Sequence, residues 1–349
     1  MTDYFVRSSG GSDANDGLTF ANGFATIQAG IDAVSAAGDR VLICADGNHT
    51  PTAAIDVDNT TAGTQASPIE VVGANATGTI DGTRPTIIGT SLPASTDMFL
   101  LSSGVTTDYW YWKDLILDGD DQGQNGFFED DYGAINWIFL RCRFTQFTTN
   151  GVRFDQGGFA NFYQCEFDNN GNAGCGPANE GAAVRMGSCN WIGCSFHDNT
   201  DEGMRVHDRG ICIAHCEFYD NGGDGLYLNS QATRTTIILN NVMHGNGGNG
   251  LHLGSNSTTT EGDPIIMGNA FTNNTGDGVE WIASSGPELA DYNHFDGNGT
   301  ARDNFPTGDN DTSGDPLYTS ETNGSEDFTP TSGSPLIDAG IEYFNGGTI

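Results

Sequence analysis

Between Gln164 and Leu253 the chain alternates apolar–polar–apolar triplets with turns rich in Gly and Asn. The triplets are Val184-Arg185-Met186, Met204-Arg205-Val206, Leu226-Tyr227-Leu228 and Leu251-His252-Leu253. A short phrase precedes each one: CEFDNN at Cys165, CSFHDN at Cys194, CEFYDN at Cys216 and NVMHGN at Asn241. The pattern reaches back to Cys142-Arg143-Phe144 with Val152-Arg153-Phe154. It runs forward to Asn269-Ala270-Phe271 with Val279-Glu280-Trp281, and fades at Asn293-His294-Phe295. Alternation with a period of two predicts strands. Successive Cys/Asn positions lie 23, 29, 22, 25, 28 and 24 residues apart, a drifting period that predicts a solenoid.

The flanks read differently. Residues 1–50 contain the polar turn GSDANDG, where Asp13 and Asp16 offer weak metal-ligand oxygens. Ile27, Ile31 and Val34 follow at helical spacing, before the apolar strand Arg40 to Cys44. A helix lying across the first coil is the expected N-terminal cap. Residues 51–300 carry the coils, and residues 301–349 lose the repeat and predict an irregular C-terminal cap. The expectation is one continuous all-β domain of about ten or more coils.

Alternation also predicts which side chains point inward. Phe144, Phe167, Phe196, Phe218 and Phe271, with Met243 once, form an inner column in which each ring contributes on the order of 2–3 kcal/mol. Stacking would bring Cys142, Cys165, Cys194 and Cys216 about 4.8 Å apart, compatible with small buried thiols or with one strained disulfide. Asn241, Asn269 and Asn293 continue that column and fit an amide ladder.

The central residues of the triplets point outward as a second ladder: Arg153, Arg185, Arg205, Tyr227, His252 and Glu280. Stacked arginines ~5–7 Å apart repel by roughly 1–3 kcal/mol when partly exposed. Glu180, Glu202, Asp224 and Asp277, each in or beside the preceding turn, could compensate through a salt-bridge lattice. The other use of such a surface is a groove for an anionic polysaccharide, with arginines on acid groups and Tyr227 and His252 against sugar rings.

Charge narrows the picture. Twelve bases stand against 46 acids, a net charge of −34, and Lys113 is the single lysine. No basic surface is available for nucleic acid. Such charge often marks disorder, but 20 Phe, 10 Tyr and 5 Trp in periodic strands oppose that. At about 1 M salt the Debye length falls to roughly 3 Å, so the composition suits high salt. No stretch approaches the ~18 apolar residues of a membrane span. Met1-Thr2-Asp3 runs into the first strand with no secretory signal, so the chain is expected inside the cell or on a virion.

The Cys/Asn column with Phe two residues on resembles the right-handed parallel β-helix proteins of the pectate-lyase-like superfamily. The opening (GSDANDG, FATIQAGIDAV, GDRVLIC) and the ending (GDPLY, SPLIDAG) are similar to those of bacterial and viral members. The low lysine content resembles proteins of halophilic archaea and their viruses. The resemblance implies a right-handed parallel β-helix, and leaves open lyases, hydrolases, epimerases, tailspikes and structural proteins.

The function expected on these grounds is a virion surface protein of a halophile's virus: a tailspike, turret or head decoration that binds host glycan. Its partners would be other virion proteins, and a homotrimer is implied by how viral β-helices assemble. Some of eight Asn-x-Ser/Thr sequons, such as Asn256, could carry glycans there.

The alternative is a polysaccharide lyase or glycoside hydrolase on an acidic polysaccharide; a passive structural module is a third. A lyase would use Arg205 or Arg185 as base, with Glu202 and Asp224 holding Ca²⁺. A hydrolase would pair Glu202 with Asp224. No cofactor is required by the binding role. The signatures of the superfamily's hydrolases and epimerases do not occur together, and His207-Asp208-Arg209 falls at a turn.

Overall fold

The computed structural model describes residues 1–57, 61–101, 107–129, 134–154, 160–171, 173, 189–207, 211–229, 236–254, 264–282 and 289–339. It is a parallel β-solenoid with three sheets along its length. The first sheet stacks eleven parallel strands from Asp3–Arg7 to Leu289–Asp291, and the second stacks ten from Thr86–Ile88 to Thr312–Ser313. The third appears as two described runs, from Ile55–Asp56 to Asn150–Phe154 and from Met204–His207 to Thr300–Asp303. The triplet Val184-Arg185-Met186 between those runs lies outside the described residues.

Two left-handed residues per coil make the corners. Between the first and second sheets Arg141, Gln164, Gly193, His215, Asn240, Gly268 and Tyr292 all have φ between 53° and 68°. Beyond the second sheet Gln146, Asn169, Asp198, Asp220, Gly245, Asn273 and Gly297 repeat the device. Asn, Asp and Gly tolerate this conformation best, which accounts for much of the turn composition.

The residue after each first corner is the Cys/Asn column. Cys142, Cys165, Cys194 and Cys216 are buried, and the seven described cysteines are free thiols; Cys175 lies outside the described residues. Burial raises the thiols of Cys142, Cys165 and Cys194 well above their ordinary range, so they are poor nucleophiles. The column continues as the expected amide ladder. Asn241 Nδ2 donates to Asn269 Oδ1 at 2.9 Å and Asn269 Nδ2 to Asn293 Oδ1 at 3.1 Å. It ends where Asn293 N–H donates to the Asp311 carboxylate at 2.8 Å, whose other oxygen meets Arg302 at 2.7 Å.

The residue after the second corner forms another ladder, which the sequence reading missed. Asn170, Asn199, Asn221, Asn246, Asn274 and Asn298 each pass a side-chain amide to the next, at 2.8–3.0 Å. Its signal was present as the closing Asn of each repeated phrase. Inside, Phe144, Phe167, Phe196 and Phe218 stack at 4.8–4.9 Å with interplanar angles of 3–6°.

The expected helix spans Ile27–Ala33, capped by the Thr26 side chain. It buries Ile27 and Ile31 against Val6 and Val41, closing the N-terminal end of the core. The C-terminal hairpin, Tyr318–Ser320 with Asp327–Pro330, folds back onto the outer face of the second sheet. There Phe328 packs on Tyr219 and His244 at 5.3 and 5.1 Å.

Candidate functional site

The third sheet sets Arg205, Tyr227, His252 and Glu280 in one register row, each on the next coil. Their flanking residues Met204, Val206, Leu226, Leu251 and Val279 are buried, so alternation leaves the row facing out. The Arg205 guanidinium bonds Glu202, three residues earlier, and lies 4.9 Å over the Tyr227 ring. That ring stands 4.6 Å from the His252 ring.

His252 is the most constrained member. Its Nδ1 lies 3.3 Å from Asp224 Oδ2 and 3.1 Å from Glu280 Oε2. The Asn249 side chain donates to Glu280 at 2.8 Å, and its backbone N–H donates to the other Asp224 oxygen at 2.6 Å. Stacked glycine turns make this possible. A Cβ on Gly248 would sit 2.4 Å from Asp224 Oδ1, and one on Gly247 would sit 2.3 Å from the Gly222 carbonyl. With Nδ1 turned to two carboxylates, the imidazole carries its proton there and presents Nε2 as the acceptor.

Burial disfavours the charged imidazole, but Asp224 and Glu280 outweigh it and raise His252 above its ordinary value. Burial also raises the Glu202 carboxyl against the pull of Arg205. For Arg205, burial opposes the charge and the Glu202 bond prevails, so the guanidinium is held protonated more firmly than usual. Arg205 therefore supplies positive charge at this row. Arg185, Glu180, Asp208 and Arg209 lie outside the described residues. Arg153 belongs to the earlier run of the sheet, 4.6 Å over Phe128.

Two of the weak metal candidates are engaged by the chain itself. Asp13 accepts from Ala25 N, Thr26 N and Thr26 Oγ1 at 2.8–3.0 Å, and Asp224 spends its oxygens on Asn249 and His252. Asp16 accepts from Leu18 N at 3.1 Å through one oxygen.

A second cluster, unforeseen, lies on the outer face of the second sheet. Arg143 grips Asp168 with two bonds of 2.7 Å, and Thr145 donates to the same carboxylate at 2.8 Å. His197 sits with Nε2 3.5 Å from Glu166 and Nδ1 2.9 Å from Asp198. The ligand atoms of Glu166, Asp168 and His197 lie within 4.8 Å of one another. The guanidinium fixed on Asp168 opposes a further cation there. Alternation could have flagged this row, because the three Cys phrases place a polar residue on both sides of their inward Phe.

Among the described residues no helix is long and apolar enough to cross a membrane. A comparison with curated protein sequences finds no match. Solved structures show the same fold at low identity. Pectate lyase Pel9A aligns over 99% of this chain and 93% of its own at 18% identity, TM-score 0.56. The alginate lyase from Paenibacillus sp. str. FPU-7 aligns over 82% and 95% at 13% identity, TM-score 0.58. XylC, solved with xylose, aligns over 86% and 70% at 10% identity, TM-score 0.60. The family model described as the right handed beta helix region matches residues 122–262 and 179–323, together more than half of the chain. With its parallel sheets, stacked corners and amide ladders, the chain belongs to the right-handed β-helix family, and its fold is of the pectate-lyase-like type.

Proposed function

We propose that the protein is a polysaccharide lyase acting on a uronate-containing glycan at the third-sheet row. The observation that carries this is the placement of His252, its Nδ1 between Asp224 and Glu280 and its ring against Tyr227. The folds it resembles include a pectate lyase and an alginate lyase, which supports the enzyme alternative over the virion role expected from the sequence. A hydrolase is less well supported, because Glu202, Asp224 and Glu280 are engaged by Arg205, His252 and Asn249 instead of standing free as an acid–base pair.

In the proposed reaction Arg205 neutralises the uronate carboxylate and so acidifies the proton on the adjacent carbon. His252 Nε2 takes that proton, and its electron pair forms the new carbon–carbon double bond. The glycosidic C–O bond breaks, and the Tyr227 hydroxyl protonates the departing oxygen. Transfer of the proton from His252 to the Tyr227 phenolate restores both groups.

The test uses the purified protein in molar salt with polygalacturonate and with alginate, with and without added Ca²⁺. Absorbance of unsaturated ends is expected to rise in time. Arg205→Ala is expected to lower kcat/KM by about tenfold or more, the scale of losing one charge-assisted contact. Absence of product from every polyuronate, with binding retained, overturns the lyase and favours a glycan-binding role.

A further inference from the structure

We infer that Gly254 is a positioning residue for His252, kept without a side chain so that the imidazole can lie over the strand beside the Tyr227 hydroxyl. The inference rests on the lyase reading for its catalytic meaning, but its structural content stands apart from it.

Gly254 ends the strand Leu251–Gly254, two residues after His252 and on the same outward face. The backbone does not call for glycine: Gly254 is not among the residues with positive φ. What a side chain would meet is the site. A Cβ built there falls 2.8 Å from His252 Nε2, 3.1 Å from its Cδ2 and 3.3 Å from the Tyr227 hydroxyl. Gly225 and Gly250, in the turns of these coils, would instead meet backbone, the Gly250 carbonyl at 2.8 Å and the Gly278 carbonyl at 2.7 Å. Gly254 would meet the far end of a side chain, so the ring must move and the strand need not.

In register, Gly254 pairs with Asn229 and Asn229 with His207. On the following coil Ile282 stands two residues after Glu280. The glycine occurs on the coil that carries the histidine. The position a Cβ would take is bordered by both His252 Nε2 and the Tyr227 oxygen. The groups facing this imidazole are Asp224 and Glu280 on Nδ1, Asn249 beside them, Tyr227 one coil back, and Glu202 and Arg205 two coils back.

The experiment is Gly254→Ala, read by NMR titration of His252 in the full chain and by the kcat and KM of polyuronate cleavage. The variant is expected to fold with an unchanged circular dichroism spectrum. Its His252 midpoint should shift, because the ring leaves its two carboxylates. The rate constant kcat should fall by about 10–100-fold with KM little changed, as displacement of a reacting group by around 1 Å does. An unmoved titration together with unaltered kcat overturns the inference. Should neither wild type nor variant cleave any polyuronate, the lyase reading fails while the titration still decides whether Gly254 places the ring. If Gly254→Ala does not fold, Tyr227→Phe tests the same neighbourhood. Removing the hydroxyl must shift the His252 midpoint, and an unmoved midpoint refutes it.

Discussion

The outer faces of the second and third sheets use the same residue types to different ends. On the second sheet the cations are answered: Arg143 by Asp168, His197 by Glu166 on one nitrogen and Asp198 on the other. The C-terminal hairpin then packs on the adjoining coils through Phe328. On the third sheet His252 is held by carboxylates at Nδ1, while Nε2 and the Tyr227 hydroxyl border the position a Cβ on Gly254 would take. A histidine bonded at both nitrogens stores its proton, and one bonded at a single nitrogen can exchange it. The difference between the faces lies in that second nitrogen.

The sharpest way to break this contrast is to exchange each histidine for glutamine. His252→Gln is expected to lower kcat by about 100-fold or more, the scale of removing a general base, and His197→Gln should leave the polyuronate rate intact. Equal losses in both would place the chemistry elsewhere. Next in size, Arg143→Ala strands the buried Asp168 carboxylate and should cost about 2–4 kcal/mol of stability, measured as a lower urea midpoint with activity unaffected below the transition.

The smallest effect concerns the hairpin. Burial, then Glu326 and Asp198, raise the Asp220 carboxyl to about 6, and Asn323 reaches it at 3.5 Å. A raised folded-state value means that the folded protein holds a proton which the unfolded chain releases, so stability falls as pH rises through that window. Asp220→Asn should therefore raise the melting temperature at pH 7.5 by about 1–2 °C. The gain should vanish below pH 4, and a gain of equal size at both pH values would refute the linkage.

Much of this was legible before any coordinates. Period-two alternation identified the inner Phe column and the outward row of Arg205, Tyr227, His252 and Glu280, because a strand offers each side chain two directions. It could not show that His252 would take Asp224 from the preceding turn and Glu280 from the next coil. That depends on how glycine turns stack, through contacts such as Gly248 against Asp224. The Arg143–Asp168 pair was overlooked for another reason. The phrase containing it was read for its central Phe, and the polar residues on either side share an outward face by the same rule. The second amide ladder escaped because Asn is as common in a turn as in a stack, and only register separates the two. Gly254 drew no notice in the sequence, where the triplet closes at Leu253; its meaning required the distance to His252.

The amide ladders make the solenoid a directional polymer. Each asparagine gives hydrogens to the next coil and receives them from the one before, so an interior member can be followed by another of its kind without limit. Asp311 breaks that recursion, since an ionised carboxylate accepts and cannot donate, and Arg302 fastens its remaining oxygen. The end of this first ladder is thus written chemically at one position. Coils duplicated upstream of Asp311 would extend the rod and inherit the same ending, whereas asparagine in its place would leave a donor directed past the last coil and available to whatever chain came next.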